Sequence, residues 1–148
     1  VGPDNFTGAA TAGPYISDKA IGDYLHDRIV SAEKPELIYV VTMENHGPWN
    51  AGRLDAPDAL TAWERHAQNG DALLGNLDCI LRDCGRPAHL IFFGDHRPSI
   101  PGYVTPSKIR STPFISLSYH IHENEEFFRN ITIHPSELQD MILKILEK

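Results

Sequence analysis

The sequence predicts an α/β domain in which helices cover a mostly parallel sheet, and three observations point there. Two short, nearly all-apolar runs, Leu37-Ile38-Tyr39-Val40-Val41-Thr42-Met43 and His89-Leu90-Ile91-Phe92-Phe93-Gly94, have the composition of strands covered on both faces. Between them lies a long stretch with helical apolar spacing, which makes a strand–helix–strand unit with parallel strands and a right-handed crossover. The chain has 148 residues, 41% apolar and 22% charged, the size and composition of one globular domain spanning 1–148.

Taken in order, residues 1–15 are small and turn-rich and read as loop. Ser17 is placed to cap a helix over 18–32, with Ile16 and Ile21 as a hydrophobic staple and Ile21, Tyr24, Leu25 and Ile29 at helical spacing. Pro35 separates that helix from the first strand, which ends in Glu44-Asn45-His46-Gly47-Pro48. A second helix is predicted over 57–84, with Leu60, Trp63, Ala67, Leu74, Leu77 and Leu81 as its apolar positions and Gly85 and Pro87 as its stop. His66 reads as a residue of its surface. The strand at 89–94 ends in Asp95-His96, and a Pro-broken loop over 97–112 leads to a third strand at 114–119. A short fourth strand is expected at 130–133, and His134-Pro135-Ser136 opens a last helix whose stripe is Leu138, Met141, Ile142, Ile145 and Leu146. Cys79 and Cys84 are five positions apart on different faces of the second helix, so a disulfide requires that helix to unwind at Cys84.

A net charge of -7 argues against nucleic acid and against anionic membrane surfaces, both of which need clustered Lys and Arg. The apolar runs fall far short of the 18 or so residues that span a bilayer, so no membrane segment is expected in this chain. The first residues, Val1-Gly2-Pro3, carry neither an initiator Met nor a signal pattern, and a longer natural protein is expected. Eight His in this length direct attention to metal or phosphoryl chemistry.

In an open parallel sheet ligands bind beyond the carboxyl ends of the strands. Glu44-Asn45-His46 and Asp95-His96 each follow such an end, so both clusters are expected on one rim. Asp95 and His96 offer a hard oxygen and a borderline nitrogen, a set that suits Mn²⁺ or Zn²⁺ better than Ca²⁺. From spacing alone an Asp-His pair after a strand is also a cap and turn, and His46 is either a loop-satisfying imidazole or a substrate contact. Arg97 is placed to reach a phosphate oxygen, Trp49 to line a glycan or lipid headgroup or simply to pack, and His120 with His122 to share one strand face as a chelating pair.

The run Thr42-Met43-Glu44-Asn45-His46-Gly47-Pro48-Trp49 followed by Phe92-Phe93-Gly94-Asp95-His96 resembles the sulfatase-like domain of the lipoteichoic acid synthase family, phosphoglycerol transferases of the alkaline phosphatase superfamily. Asp71 in the intervening helix, Thr112-Pro113-Phe114-Ile115, and Ile131-Thr132-Ile133-His134-Pro135-Ser136 follow the family's order, though His134 stands where the family usually has Asp and reads as a structural residue opening the helix. The resemblance implies part of a three-layer αβα, alkaline-phosphatase/sulfatase-like domain. It makes Asp95 and His96 metal ligands and His46 the imidazole facing the phosphate or leaving-group oxygen, and Asn45, Trp49 and Arg97 stand beside these as candidate substrate contacts. It implies a divalent metal, Mn²⁺ foremost with Zn²⁺ or Ca²⁺ as alternatives, and a covalent mechanism through a Thr or Ser nucleophile. In the family that nucleophile and a further Glu ligand precede the Asn-His-x-Pro element. Thr7 and Thr11 match no such motif, so no nucleophile is assigned and the chain is expected to be the C-terminal half of a catalytic domain, weak in metal binding and inactive alone.

The implied function is phosphotransfer from an anionic phosphate ester to a cell-envelope glycan or lipid, outside a bacterial cytoplasmic membrane, with the missing N-terminal half as partner. Two rivals stand beside it: a phosphate or sulfate ester hydrolase of the same superfamily, and a non-catalytic anion- or glycan-binding module.

Overall fold

A computed structural model describes residues 3–121 and 131–147. A 3₁₀ turn at Pro3–Phe6 precedes a two-residue hairpin, β1 (Thr11–Ala12) and β2 (Tyr15–Ile16), so the segment expected to be loop holds two small elements. The chain doubles back at Gly13, whose φ of +66° is open to glycine.

Helix α1 (Asp18–Ser31) starts where Ser17 predicts, the Ser17 hydroxyl accepting from the Ala20 amide at 3.2 Å. Helix α2 (Ala59–Asp83) is capped by Asp58, whose carboxylate accepts from the Thr61 amide, and it ends at Cys84 before Gly85. Because α2 stays helical through Asp83, Cys79 and Cys84 remain free thiols. The Arg86 guanidinium reaches back to the carbonyls of Ile29 and Ala32, a cation at the C-terminal end of α1 that ties the two helices together.

Leu25, Leu73 and Leu77 form the core where α1 crosses α2, and Ile21, Tyr24, Ile29 and Ile80 surround them. Leu90 and Phe92 pack on the same cluster from β3 (Ala88–Phe93), so the helices lie over one face of a two-stranded sheet. The inward face of α2 runs through Ala62, His66, Leu73, Leu77 and Leu81, not through Leu60, Trp63 and Ala67. His66 is 0% exposed, which overturns its reading as a surface residue.

Two expectations about strands are corrected. β3 pairs with β4 (Phe114–Tyr119) antiparallel, from Ala88↔Tyr119 to Phe93↔Phe114, because the loop between them returns the chain alongside the strand it left. The run 37–43 joins no sheet among the described residues; Tyr39 is 77% exposed and Leu37 69%. A strand apolar on both faces needs neighbours on both sides and layers above and below, and nothing among the described residues supplies them. Among the described residues neither the strand–helix–strand unit nor a mostly parallel sheet is formed, and they make a mixed α/β arrangement with small antiparallel sheets.

Residues 131–133 form no strand, and Asn130 lies outside the described residues, as does His122. Helix α3 (Pro135–Leu146) has Pro135 in its first turn, and His134 closes a capping box with Glu137, the role of opening the helix expected of it.

Candidate functional site

The segment after residue 43 turns back on itself, with a cis Gly47–Pro48 peptide and the His46 amide bonded to the Met43 carbonyl at 3.0 Å. Two residues hold this turn from opposite directions. Arg53 lies outside it: one guanidinium nitrogen donates to the His46 and Pro48 carbonyls at 2.7 and 3.2 Å, and the other to the Glu44 carbonyl at 2.5 Å. A planar fork gathers the three carbonyls from two separate nitrogens, whereas an ammonium has all its donors on one atom. Arg53 sits on a left-handed turn with positive φ at Gly52, Leu54 and Asp55, secured by Arg65 donating to the Leu54 carbonyl at 2.6 Å. Its guanidinium also lies over the Tyr15 ring, 5.4 Å from the centroid.

Glu44 holds the turn from inside. Its side chain, 1% exposed, takes the Asp18 amide at 2.6 Å on one oxygen; the other oxygen takes the Asn69 side-chain amide at 2.6 Å and lies 3.0 Å from His66 Nδ1. A carboxylate can only accept there, so His66 is protonated on Nδ1. Burial holds His66 below its ordinary pKa, against the pull of Glu44, and keeps it neutral. Asp18, 2% exposed, is pushed up from 3.8 to about 6, first by burial and then by the Glu44 charge. Asp18 Oδ1, His66 Nε2 and Arg53 Nε are buried without partners among the described residues.

His46 points the other way, into solvent. Its Nδ1 is 2.7 Å from the Gly47 carbonyl and 3.2 Å from the Tyr15 hydroxyl, and its ring meets the Tyr15 ring edge-on at 5.7 Å. The carbonyl can only accept, so Nδ1 carries the proton and Nε2 keeps its lone pair for a ligand or a proton. Trp49 donates from Nε1 to the Asn45 carbonyl oxygen at 3.0 Å, which leaves the Asn45 amide nitrogen available. The Trp49 ring lies against Gly47, where an added Cβ would stand 3.3 Å from it.

Asp95 and His96 follow β3 and are bound to each other. The His96 amide donates to Asp95 Oδ1 at 2.8 Å, and His96 Nδ1 is 2.9 Å from Asp95 Oδ2. Both are exposed, 80% and 67% at the side chain, so His96 Nε2 and the outer lone pairs of the carboxylate are open. Asp95, His96 and Arg97 line a cleft of ≈ 330 Å³ together with Arg110, Thr105 and Ser107. As a metal site this pair fits as half a ligand set: oxygen and imidazole nitrogen are suitable donors, but among the described residues no group of three or more His, Cys, Asp or Glu is arranged around one point.

The structure thus gathers Asn45, His46 and Trp49 in one turn and Asp95, His96 and Arg97 in one cleft. Among the described residues no hydrogen bond or ion pair joins the two groups, and the shared rim that parallel strands would create is not formed. His120 is held by its Nε2, which donates to the Arg82 carbonyl at 2.8 Å. Asp71 is exposed on α2. Sequence reading placed Glu44 on the rim and passed over Asp18, Arg53, His66 and Asn69. A signal for His66 did exist, since counting seven back from Leu73, or four on from Ala62, lands on it.

Comparison with known proteins adds the remaining findings. The chain is 28% identical over 97 residues to the capsular polysaccharide biosynthesis protein RkpI of Rhizobium meliloti (strain 1021), an alignment covering 64% of this chain and 18% of that protein. No solved structure matches. Residues 2–132 match the sulfatase family, a span that contains both the Asn45-His46 turn and the Asp95-His96 pair. With the larger part of its length carrying that match, the chain belongs to the sulfatase family.

Proposed function

We propose that this chain carries one side of the active site of a sulfatase-like phosphotransferase, acting on an anionic phosphate ester and transferring a phosphoglycerol-type group to a cell-envelope glycan or lipid outside a bacterial membrane. Sulfatase-family domains generally use a divalent metal and act on anionic esters. The observation that carries the proposal is the cleft in which Asp95 and His96, a pair of metal-type donors, lie beside Arg97 and Arg110. The name of the RkpI relative, capsular polysaccharide biosynthesis, favours a glycan over a small metabolite.

In this reading Asp95 and His96 hold a divalent ion, Mn²⁺ before Zn²⁺ or Ca²⁺, from one side, and ligands and a nucleophile outside these residues complete the centre. A bound ion would supply positive charge opposite the oxygens of the transferring group. Arg97 grips a non-bridging oxygen of the ester, which needs a charge-assisted donor in a chain of net charge -7. His46, its Nδ1 proton committed to Gly47, presents the Nε2 lone pair to the leaving-group oxygen, and only after Nε2 has taken up a proton can the imidazolium pass it there. The Asn45 amide nitrogen and the Trp49 ring border the same substrate. The exposed apolar run 37–43 becomes a covered strand when the rest of the domain pairs with it, and the mostly parallel sheet is completed in that way.

Membership of the sulfatase family also favours a second reading, in which water is the final acceptor and the protein is a phosphate or sulfate ester hydrolase. One preparation tests both. A protein extended to hold the complete domain should bind Mn²⁺ by calorimetry and lose that binding on Asp95→Ala or His96→Ala; affinity unchanged by either substitution refutes the metal assignment. Product formation that depends on a glycerol-type acceptor identifies the transferase, and acceptor-independent release identifies the hydrolase. Anion binding indifferent to chelator would instead mark a non-catalytic module.

A further inference from the structure

Glu44 departs from its neighbours in one respect. It stands between the exposed run 37–43 and the exposed His46, yet its side chain is almost fully buried and satisfied by donors from two helices. Burying a carboxylate costs several kcal/mol unless good hydrogen bonds offset it, and a residue whose only role was to fill space here would be apolar. The donors come from Asp18 in the first turn of α1, where the helix dipole also favours an anion, and from His66 and Asn69 on α2. Glu44 therefore fastens the turn carrying Asn45 and His46 to the α1–α2 pair, which is the part of the molecule with a packed core. Arg53 grips the backbone of the same turn, including the Glu44 carbonyl, so side chain and main chain are held independently.

We propose that Glu44, with His66 and Asn69, is the positioning residue of the site: by anchoring the turn from below it holds the His46 ring in register with the Gly47 carbonyl, so that one tautomer is presented with Nε2 outward. The inference rests on the reading of His46 as the group that faces substrate. It adds a buried polar anchor, assembled from residues 18, 44, 66 and 69, that acts through His46 and touches no ligand itself.

The test is nitrogen-15 NMR of the imidazole rings in the 148-residue chain. In the wild type the two His46 ring nitrogens are expected to resolve as a protonated Nδ1 and an unprotonated Nε2. Glu44→Gln places an amide NH₂ where the Asp18 amide, the Asn69 amide and His66 Nδ1–H all donate, and accommodating it requires Asn69 to flip or His66 to change tautomer, so the His46 ring nitrogens should move toward a common averaged shift while the amide signals of α1 and α2 remain native. The double variant Glu44→Gln/Asn69→Asp supplies an acceptor for that amide and should restore the separate signals. A folded Glu44→Gln protein with the wild-type His46 spectrum overturns the proposal. If Glu44→Gln does not fold, Asn69→Ala decides, because Asn69 is exposed and removes one donor only; an unmoved His46 spectrum there overturns the proposal equally. Failure of Mn²⁺ binding in the extended domain would count against phosphotransfer and leave this spectrum as expected, so the two readings fail separately.

Discussion

Asp18→Asn should abolish a pH dependence of stability that the fold creates. The Asp18 side chain is 2% exposed beside the Glu44 carboxylate, and its pKa is pushed from 3.8 to about 6, by burial first and by Glu44 second. A raised carboxyl pKa means that the native state keeps a proton which the unfolded chain has released. The stability linked to Asp18 is therefore fully present below pH 3.8 and is lost as pH rises through about 6. At about 1.4 kcal/mol per pH unit, the loss between those values is about 3 kcal/mol, a substantial part of the roughly 5–15 kcal/mol that stabilises a domain. His66 acts in the opposite sense: its depressed pKa contributes stability above its ordinary 6.5 that disappears as pH falls. That contribution is common to both proteins and cancels in their difference. Asn is isosteric, uncharged at every pH and keeps the backbone amide that Glu44 accepts. Urea unfolding followed by circular dichroism from pH 4 to 7.5 should show the stability of Asp18→Asn relative to wild type rising by about 2.5 kcal/mol across the range, the rest of the effect lying below pH 4. A difference that stays flat, or falls with pH, refutes the placement of Asp18.

Leu73→Ala removes a residue 3% exposed at the centre of the α1–α2 contact and should cost about 2–5 kcal/mol in thermal or chemical unfolding; a loss well under that would show that the helices do not share this core. Arg53→Ala strips three carbonyls of their donor and should lower the hydrogen-exchange protection of the His46 amide, with about 2 kcal/mol of destabilisation. Arg53→Lys should recover little of that protection, since an ammonium cannot reproduce the fork; full recovery would mean that charge alone holds the turn.

Helix positions were legible because their determinants are local. Ser17 before α1, Gly85 after α2 and Pro135 at the start of α3 each act on the turn beside them, and the observed bounds, 18–31, 59–83 and 135–146, fall within a few residues of expectation. The strands at 88–93 and 114–119 were likewise visible as short apolar runs between turn signals. Direction of pairing was not visible, because an apolar run carries no mark of which neighbour it will meet. The run 37–43 shows this most clearly: its composition states that it needs cover on both faces, and only the assembled domain can provide it.

The sequence by itself determined the family-bearing motifs, Asn45-His46-Gly47-Pro48 and Gly94-Asp95-His96, and the residue types available for chemistry. Tertiary structure decided which of the charged and polar groups are buried. Glu44, His66 and Asp18 look like surface residues when read along the chain, since isolated ionisable groups avoid the interior. Glu44 and His66 are buried because the Glu44 carboxylate accepts from the Asp18 amide, His66 and Asn69 at one point, with the Asp18 carboxyl enclosed beside it, and that convergence exists only once α1, α2 and the turn after residue 43 have packed.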